Sequence, residues 1–237
     1  MSMENFVNTV PGENQLKDND YLSYILQPHP SKKVLVIGNS ITRHNPSAEI
    51  GWHGDWGMAA SSEDKDYVHI LYRDLTAYFG PISMCVAQAS AWEVTAPALK
   101  EEKLCEKYAP AAEFGADLII VRIGENIDMQ HTDVSQLAES FQKMIAFFGG
   151  EKENVEVILT GLFWNYPQQE EAVKCALVGK NYHFVFLTDL GMDEKMTAMG
   201  LFSHAGVAGH PGDLGMEHIA RRIMNQAQKI YPQENSR

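Results

Sequence analysis

The sequence predicts an α/β fold, a three-layer α/β/α sandwich around a central, mostly parallel five-stranded sheet. Two observations carry that expectation. Five short apolar runs, at 33–38, 82–87, 117–124, 155–161 and 183–190, recur along the chain, several unbroken by polar residues. Unbroken runs suit strands covered on both faces, whereas a half-exposed strand alternates. The segments between the runs carry apolar residues every three to four positions instead. Strand and helix alternating along one chain is the pattern of a sheet sandwiched between helix layers.

Taken in order, residues 1–31 are polar and proline-dotted, with a few aromatics such as Phe6, Tyr21 and Tyr24. They read as an arm packed on the domain that follows, 32–237. The first strand is "KVLVIG" at 33–38. The segment 61–79 places Tyr67, Ile70, Leu71, Leu75 and Tyr78 on one helical face. At 133–148, Val134, Leu137, Phe141, Ile145 and Phe148 do the same, and Asp133 with Gln136 has the spacing of a capping box. A weaker helical pattern covers 167–179. The last helix, 213–230, has Met216, Ile219, Ile223, Ala227 and Ile230 on a stripe, with Pro232 as the stop.

Composition narrows the function. At 237 residues one domain is the default. Nineteen basic against thirty-one acidic residues leaves −12, which argues against nucleic acid and against anionic membrane surfaces as partners. No apolar stretch approaches the roughly 20 residues that span a bilayer, so no membrane insertion is expected. Cys85, Cys105 and Cys175 are odd in number and lack CxxC spacing, so neither a disulfide framework nor a thiolate metal site is indicated. The N-terminus lacks the basic-then-apolar order of a secretory signal. A cytoplasmic location is expected on that ground, and a periplasmic or secreted one if a signal has been removed.

In an open α/β sheet the ligand crevice lies beyond the carboxyl ends of the strands. The first strand runs into Gly38-Asn39-Ser40, and the third into Gly124-Glu125-Asn126. His210 stands in a loop directly before the final helix. A serine hydroxyl needs a base to become a nucleophile, and His210 is the candidate. Acyl transfer also needs donors aimed at the oxyanion; the Ser40 N–H and the Asn126 carboxamide are candidates for that work.

As a set, these blocks resemble the SGNH/GDSL hydrolase superfamily. "GNSIT" at 38–42 is similar to its first block, "GENI" at 124–127 to its Gly-x-Asn-Asp block, and "HPGDLGMEHIA" at 210–220 to its last. The resemblance implies a flavodoxin-like sandwich and a serine esterase that needs no cofactor. It places the nucleophile on Ser40, the base on His210 and the oxyanion asparagine on Asn126. The family's block-two donor falls within 89–91, on Ala89, Ser90 or Ala91. Two departures stand out. Val207 occupies the position of the aspartate that would orient the base, and Ile127 replaces the aspartate after Asn126. A backbone carbonyl, Asp213 or Glu125 is the alternative orienting group. His204 lies close enough to compete with His210, but the proline and glycine that follow His210 favour it.

The expected substrate is a small-molecule or carbohydrate ester. The long loop 43–67 holds Trp52, Trp56, His44, His53 and Asp55, and aromatic faces beside polar groups suit sugar rings. Asn39, Trp52, Trp56, Trp92, Glu93, Glu125 and Trp164 are therefore candidate pocket residues, with a short acyl group on a sugar as the preferred substrate. The opposing expectation for the tryptophans is a filler role against the domain. A catalytically degenerate carbohydrate-binding domain is the main alternative, motivated by Val207 and Ile127. A metal-dependent hydrolase ranks lower, because the nine histidines show no recognised ligand spacing, and no metal site is expected.

Overall fold

The computed structural model describes residues 21–95, 101–150, 152 and 154–233, the side chains of residues 95 and 101–105 aside. Among the described residues a single sheet has six strands. They are β1 (Leu22–Ile25), β2 (Lys32–Gly38), β3 (Ile82–Gln88), β4 (Leu118–Arg122), β5 (Glu156–Thr160) and β6 (Tyr182–Val185), in the spatial order β1-β3-β2-β4-β5-β6. All neighbouring pairs are parallel except β1 with β3. The expected five strands are one short, because β1 comes from the polar arm and pairs only along the edge. Residues 1–20 of that arm lie outside the described residues.

The eight helices among the described residues are α1 (Tyr67–Phe79), α2 (Ser90–Thr95), α3 (Glu101–Glu113), α4 (Val134–Gly149), α5 (Pro167–Ala176), α6 (Thr188–Gly191), α7 (Ala205–Ala208) and α8 (Asp213–Ile230). The run 183–190 reads as strand throughout in the sequence; in the structure its second half turns away as α6. Periodicity passes over α3, whose charged start and internal Pro110 obscure a helix. Asp133 forms the capping box of α4 with Gln136.

Successive strand residues point to opposite faces, and the core divides accordingly. Leu35, Ile37, Ile119 and Val121 pack with Phe141, Ile145 and Phe148 on one side. Val34, Val36, Leu118 and Ile120 pack with Leu71, Leu75, Ile219 and Ile223 on the other, where α1 and α8 lie together. The result is the three-layer sandwich. Registers bring the carboxyl ends of the central strands level: Gly38 faces both Gln88 of β3 and Arg122 of β4. Ser40, Ser90 and Asn126 therefore begin from one edge.

No helix among the described residues is long and apolar enough to cross a membrane.

Candidate active site

The chain turns sharply after β2. Thr42 and Arg43 donate backbone N–H groups to the Asn39 carbonyl at 2.9 and 3.0 Å, and Ile41 N–H reaches Asn39 Oδ1 at 3.2 Å. Gly38 is forced by this turn: a Cβ there would lie 1.7 Å from Thr42 Oγ1. The turn leaves the Ser40 N–H without a backbone partner among the described residues, and the Ser40 carbonyl accepts from Met58 N–H at 2.9 Å.

His210 reaches this turn from the far end of the sequence. Its Nε2 lies 2.8 Å from Ser40 Oγ. Its Nδ1 lies 2.6 Å from the carbonyl oxygen of Gly206. A carbonyl only accepts, so the ring proton sits on Nδ1 and Nε2 is left bare to take the serine proton. The carbonyl is supplied by α7, a single turn whose terminal carbonyls lack helical partners. Gly209 N–H bonds Ala205 O and His210 N–H bonds Val207 O, leaving the Gly206 oxygen for the imidazole. A backbone carbonyl thus stands behind the imidazole, where an orienting group is expected. Asp213 instead binds Ser61 and Lys65, and Glu125 is engaged with Arg122.

Val207, three residues before His210, is fully buried in an apolar cluster with Trp52, Met58 and Ala198. The imidazole is itself buried, 8% exposed, and burial holds its pKa down to about 4 although the Gly206 carbonyl pulls it up. Trp164 steadies the same loop by donating Nε1–H to the Gly209 carbonyl at 3.0 Å, its ring edge-on to His210 at 5.1 Å.

Ser40 and His210 open onto a cleft of about 360 Å³. Its lining includes the apolar side chains of Ile50, Met58 and Val207 and the polar ones of His44, Gln88, Ser90, Asn126 and His204, together with Gly206. The Ala89 N–H does not face the cleft unpaired: it is spent on the Gly38 carbonyl at 2.7 Å, which removes it from the expected donors. Ser90 opens α2, where a helix leaves its first N–H groups unpaired, and it faces the cleft.

The expected pocket walls are placed elsewhere. Trp52 is 3% exposed; it packs edge-on against Trp56 at 5.7 Å and donates Nε1–H to the His44 carbonyl at 2.9 Å. Trp56 donates to the Ala60 carbonyl, and Trp92 is buried against Phe141. None of the three lines the cleft, and neither does Trp164. The long loop is a folded cap with bridges His44–Trp56 and Ser47–Trp52, so its indoles fill space while His44, Ile50 and Met58 meet the cleft. His53 and Asp55 are exposed on its outer side.

Asn39, Glu93 and Glu125 are buried beneath the cleft rather than in its wall. Asn39 Nδ2 donates to Glu93 Oε1 at 3.0 Å and to Glu125 Oε2 at 2.7 Å, while Asn39 Oδ1 accepts from Arg122 Nη1 at 2.8 Å. Arg122 Nη2 also donates to Glu125 Oε1, which accepts from Phe163 N–H at 3.0 Å. Burial pushes the Glu125 carboxyl up, but Arg122 and these donors outweigh it and hold it below the usual range. Glu93 goes the other way: burial first, then the neighbouring Glu125 charge, raise it. Sequence reasoning missed Arg122, since a single arginine at the end of an apolar run shows nothing of its partners.

No protein-family model matches the chain, and no curated protein matches it. Solved structures do. The psychrotrophic esterase EstA from Pseudoalteromonas sp., inhibited by monoethylphosphonate, is 15% identical, with 85% of this chain and 100% of that one covered and a TM-score of 0.51. A family 3 carbohydrate esterase from Clostridium thermocellum is 16% identical over 84% and 96%, with a TM-score of 0.53. A two-domain esterase active on acetylated mannans is 15% identical over 86% of this chain, which spans 52% of that protein, with a TM-score of 0.51. These likenesses establish the fold. The three-layer sandwich with its mostly parallel sheet is the scaffold shared with those esterases.

Among the described residues no group of three or more His, Cys, Asp and Glu side chains is arranged to hold a metal ion.

Proposed function

We propose that the protein hydrolyses a carboxylic ester through an acyl-enzyme on Ser40. The observation that carries this reading is the Ser40 Oγ–His210 Nε2 contact at 2.8 Å, with the other ring nitrogen held by the Gly206 carbonyl. In the first step Ser40 Oγ bonds to the ester carbonyl carbon and its proton passes to His210 Nε2. The carbonyl oxygen takes up negative charge facing the Ser40 N–H, the Asn126 carboxamide and the Ser90 N–H. The tetrahedral centre then collapses, and the departing alcohol takes the proton from Nε2. Water repeats the sequence and frees Ser40. The Gly206 carbonyl stabilises the imidazolium in each half-reaction. The catalytic unit on this reading is 32–237, with 1–31 as an arm that lends β1 to the sheet.

For the substrate we favour a short acyl group, acetyl above all, on a carbohydrate. Ile50, Met58 and Val207 give the lining its apolar side chains, and two histidines, Gln88 and Ser90 offer hydrogen bonds to hydroxyls. The fold is shared with a carbohydrate esterase and with an esterase active on acetylated mannans. Support therefore comes from hydrogen-bonding groups rather than from stacking tryptophans.

The test is p-nitrophenyl acetate hydrolysis by the wild type, Ser40→Ala and His210→Ala, with stoichiometric labelling by a serine-directed fluorophosphonate. Each substitution is expected to lower kcat by a thousandfold or more, on the order of losses seen on removing a nucleophile or its base. Labelling should vanish in Ser40→Ala. Faster turnover of long-chain acyl esters than of acetylated sugars would sink the carbohydrate assignment. No turnover and no labelling of the wild type would favour a degenerate binding domain, the reading that Val207 motivates.

A further inference from the structure

We propose that Glu93 is a positioning residue of the oxyanion hole: its carboxylate holds the Asn126 NH2 by one hydrogen and so fixes the other for the substrate. The proposal rests on the reading of Asn126 as an oxyanion donor.

A carboxamide has two edges of nearly the same shape, one an acceptor oxygen and the other an NH2 with two hydrogens. Packing alone distinguishes them poorly. A carboxylate distinguishes them completely, because it only accepts. Asn126 Nδ2 donates to Glu93 Oε2 at 2.7 Å, so the NH2 edge is the one turned towards the acid. One hydrogen is spent there; the second, fixed to the same planar nitrogen, has no protein partner among the described residues, and Asn126 lines the cleft. Rotated the other way, Oδ1 would face the Glu93 carboxylate, acceptor against acceptor, and the bond that holds the amide in place would be lost.

The same carboxylate clamps the surrounding backbone. Glu93 Oε1 accepts from Gly124 N–H at 2.7 Å and from Asn126 N–H at 3.3 Å, and from Asn39 Nδ2 at 3.0 Å. Glu93 therefore ties the turn after β4 to Asn39, the residue before the nucleophile. It does so from α2, whose first residue is Ser90. One buried side chain, 1% exposed, joins the three turns that carry the three donors. Donors on both of its oxygens favour the ionised form, against the burial and the Glu125 charge that raise the carboxyl. Arg122 is the only cation bonded to this cluster among the described residues, through Asn39 and Glu125.

The experiment is a double-mutant cycle on p-nitrophenyl acetate hydrolysis with Glu93→Gln, Asn126→Ala and the pair. A glutamine offers either edge of its own amide and no longer dictates that of Asn126. Glu93→Gln is expected to lower kcat about 10- to 100-fold with KM changed by less than about threefold, within the range for a weakened oxyanion donor. In the Asn126→Ala background the same change should cost little more, since the group that it positions is already gone. A support of the fold alone would instead multiply the two losses and lower the melting temperature in step with activity. Wild-type kcat in Glu93→Gln, or multiplied losses in the pair, would overturn the proposal. Should Glu93→Gln not fold, Glu93→Asp, which keeps the charge and shortens the reach, is put through the same cycle with the same expectations. A wild type with no Ser40-dependent turnover removes the parent reading before any variant is compared, and the proposal with it.

Discussion

At the scale of the residue, the His210 imidazole is backed by the Gly206 carbonyl and not by a carboxylate. A neighbouring aspartate would favour the charged ring; burial does the opposite and holds the pKa down to about 4, well under the ordinary 6.5. A base must be neutral to accept a proton. Activity should therefore stay level from neutral pH down through 6 and 5, and fall only as the pH approaches about 4. The profile of kcat/KM for a small ester reports this, and an acid limb centred near 6.5 would show that burial does not govern the ring. Stability follows the same sign. An unfolded chain takes up a proton below about 6.5 that the folded ring refuses until about 4, so the favourable contribution of the neutral ring is full above 6.5 and is lost as pH falls towards 4. The meeting of Ser40, Asn126 and His210 at one cleft was legible in the sequence because each sits at a strand end or before a helix, at one edge of the sheet. The Gly206 carbonyl was not legible as such, since every residue has one and only the path of α7 selects it.

At the scale of the element, the loop 43–66 shows how composition misleads. Its tryptophans suggest a sugar platform, but an indole beside a gap in the core gains more by filling it. Burying one removes a large apolar area from water, and the interior offers its N–H a carbonyl. Trp52 has both, in the cluster with Met58, Ala59, Ala198 and Val207 and in its bond to His44 O. Replacing Trp52 by alanine should cost about 3–5 kcal/mol of stability, as for other large-to-small core changes. Substrate preference should hold: the ratio of kcat/KM for an acetylated sugar to that for p-nitrophenyl acetate is expected to change by less than about threefold. A loss confined to the sugar would restore Trp52 to the binding surface. The strands were legible because runs such as Val34–Ile37 are apolar at every position, whichever face they take. Strand β1 was not, because an edge strand needs only one neighbour and its "LSYI" stands among polar residues.

At the scale of the whole molecule, thirty-one acidic residues stand against nineteen basic ones. A net charge of −12 repels anions over a Debye length of about 8 Å at physiological salt. An acetylated uronate should be turned over with a lower kcat/KM than its uncharged analogue at low salt, and the gap should narrow as salt is raised. A gap that ignores salt would place discrimination in the cleft itself. Alternation of apolar runs made the sandwich legible at this scale, whereas the buried Asn39–Glu93–Arg122–Glu125 cluster depends on four segments meeting and leaves no local trace. The pairing of Ser40 with His210 has a consequence of its own. The two are separated by 170 positions, with four of the six strands between them. Closing so long a stretch is among the costlier events in the search for the native state. Helices and a compact interior can form in a molecule whose serine still lacks its base. On the proposed mechanism, turnover would count only finished molecules, those in which both halves of the chain have closed around the sheet and brought the imidazole to the hydroxyl.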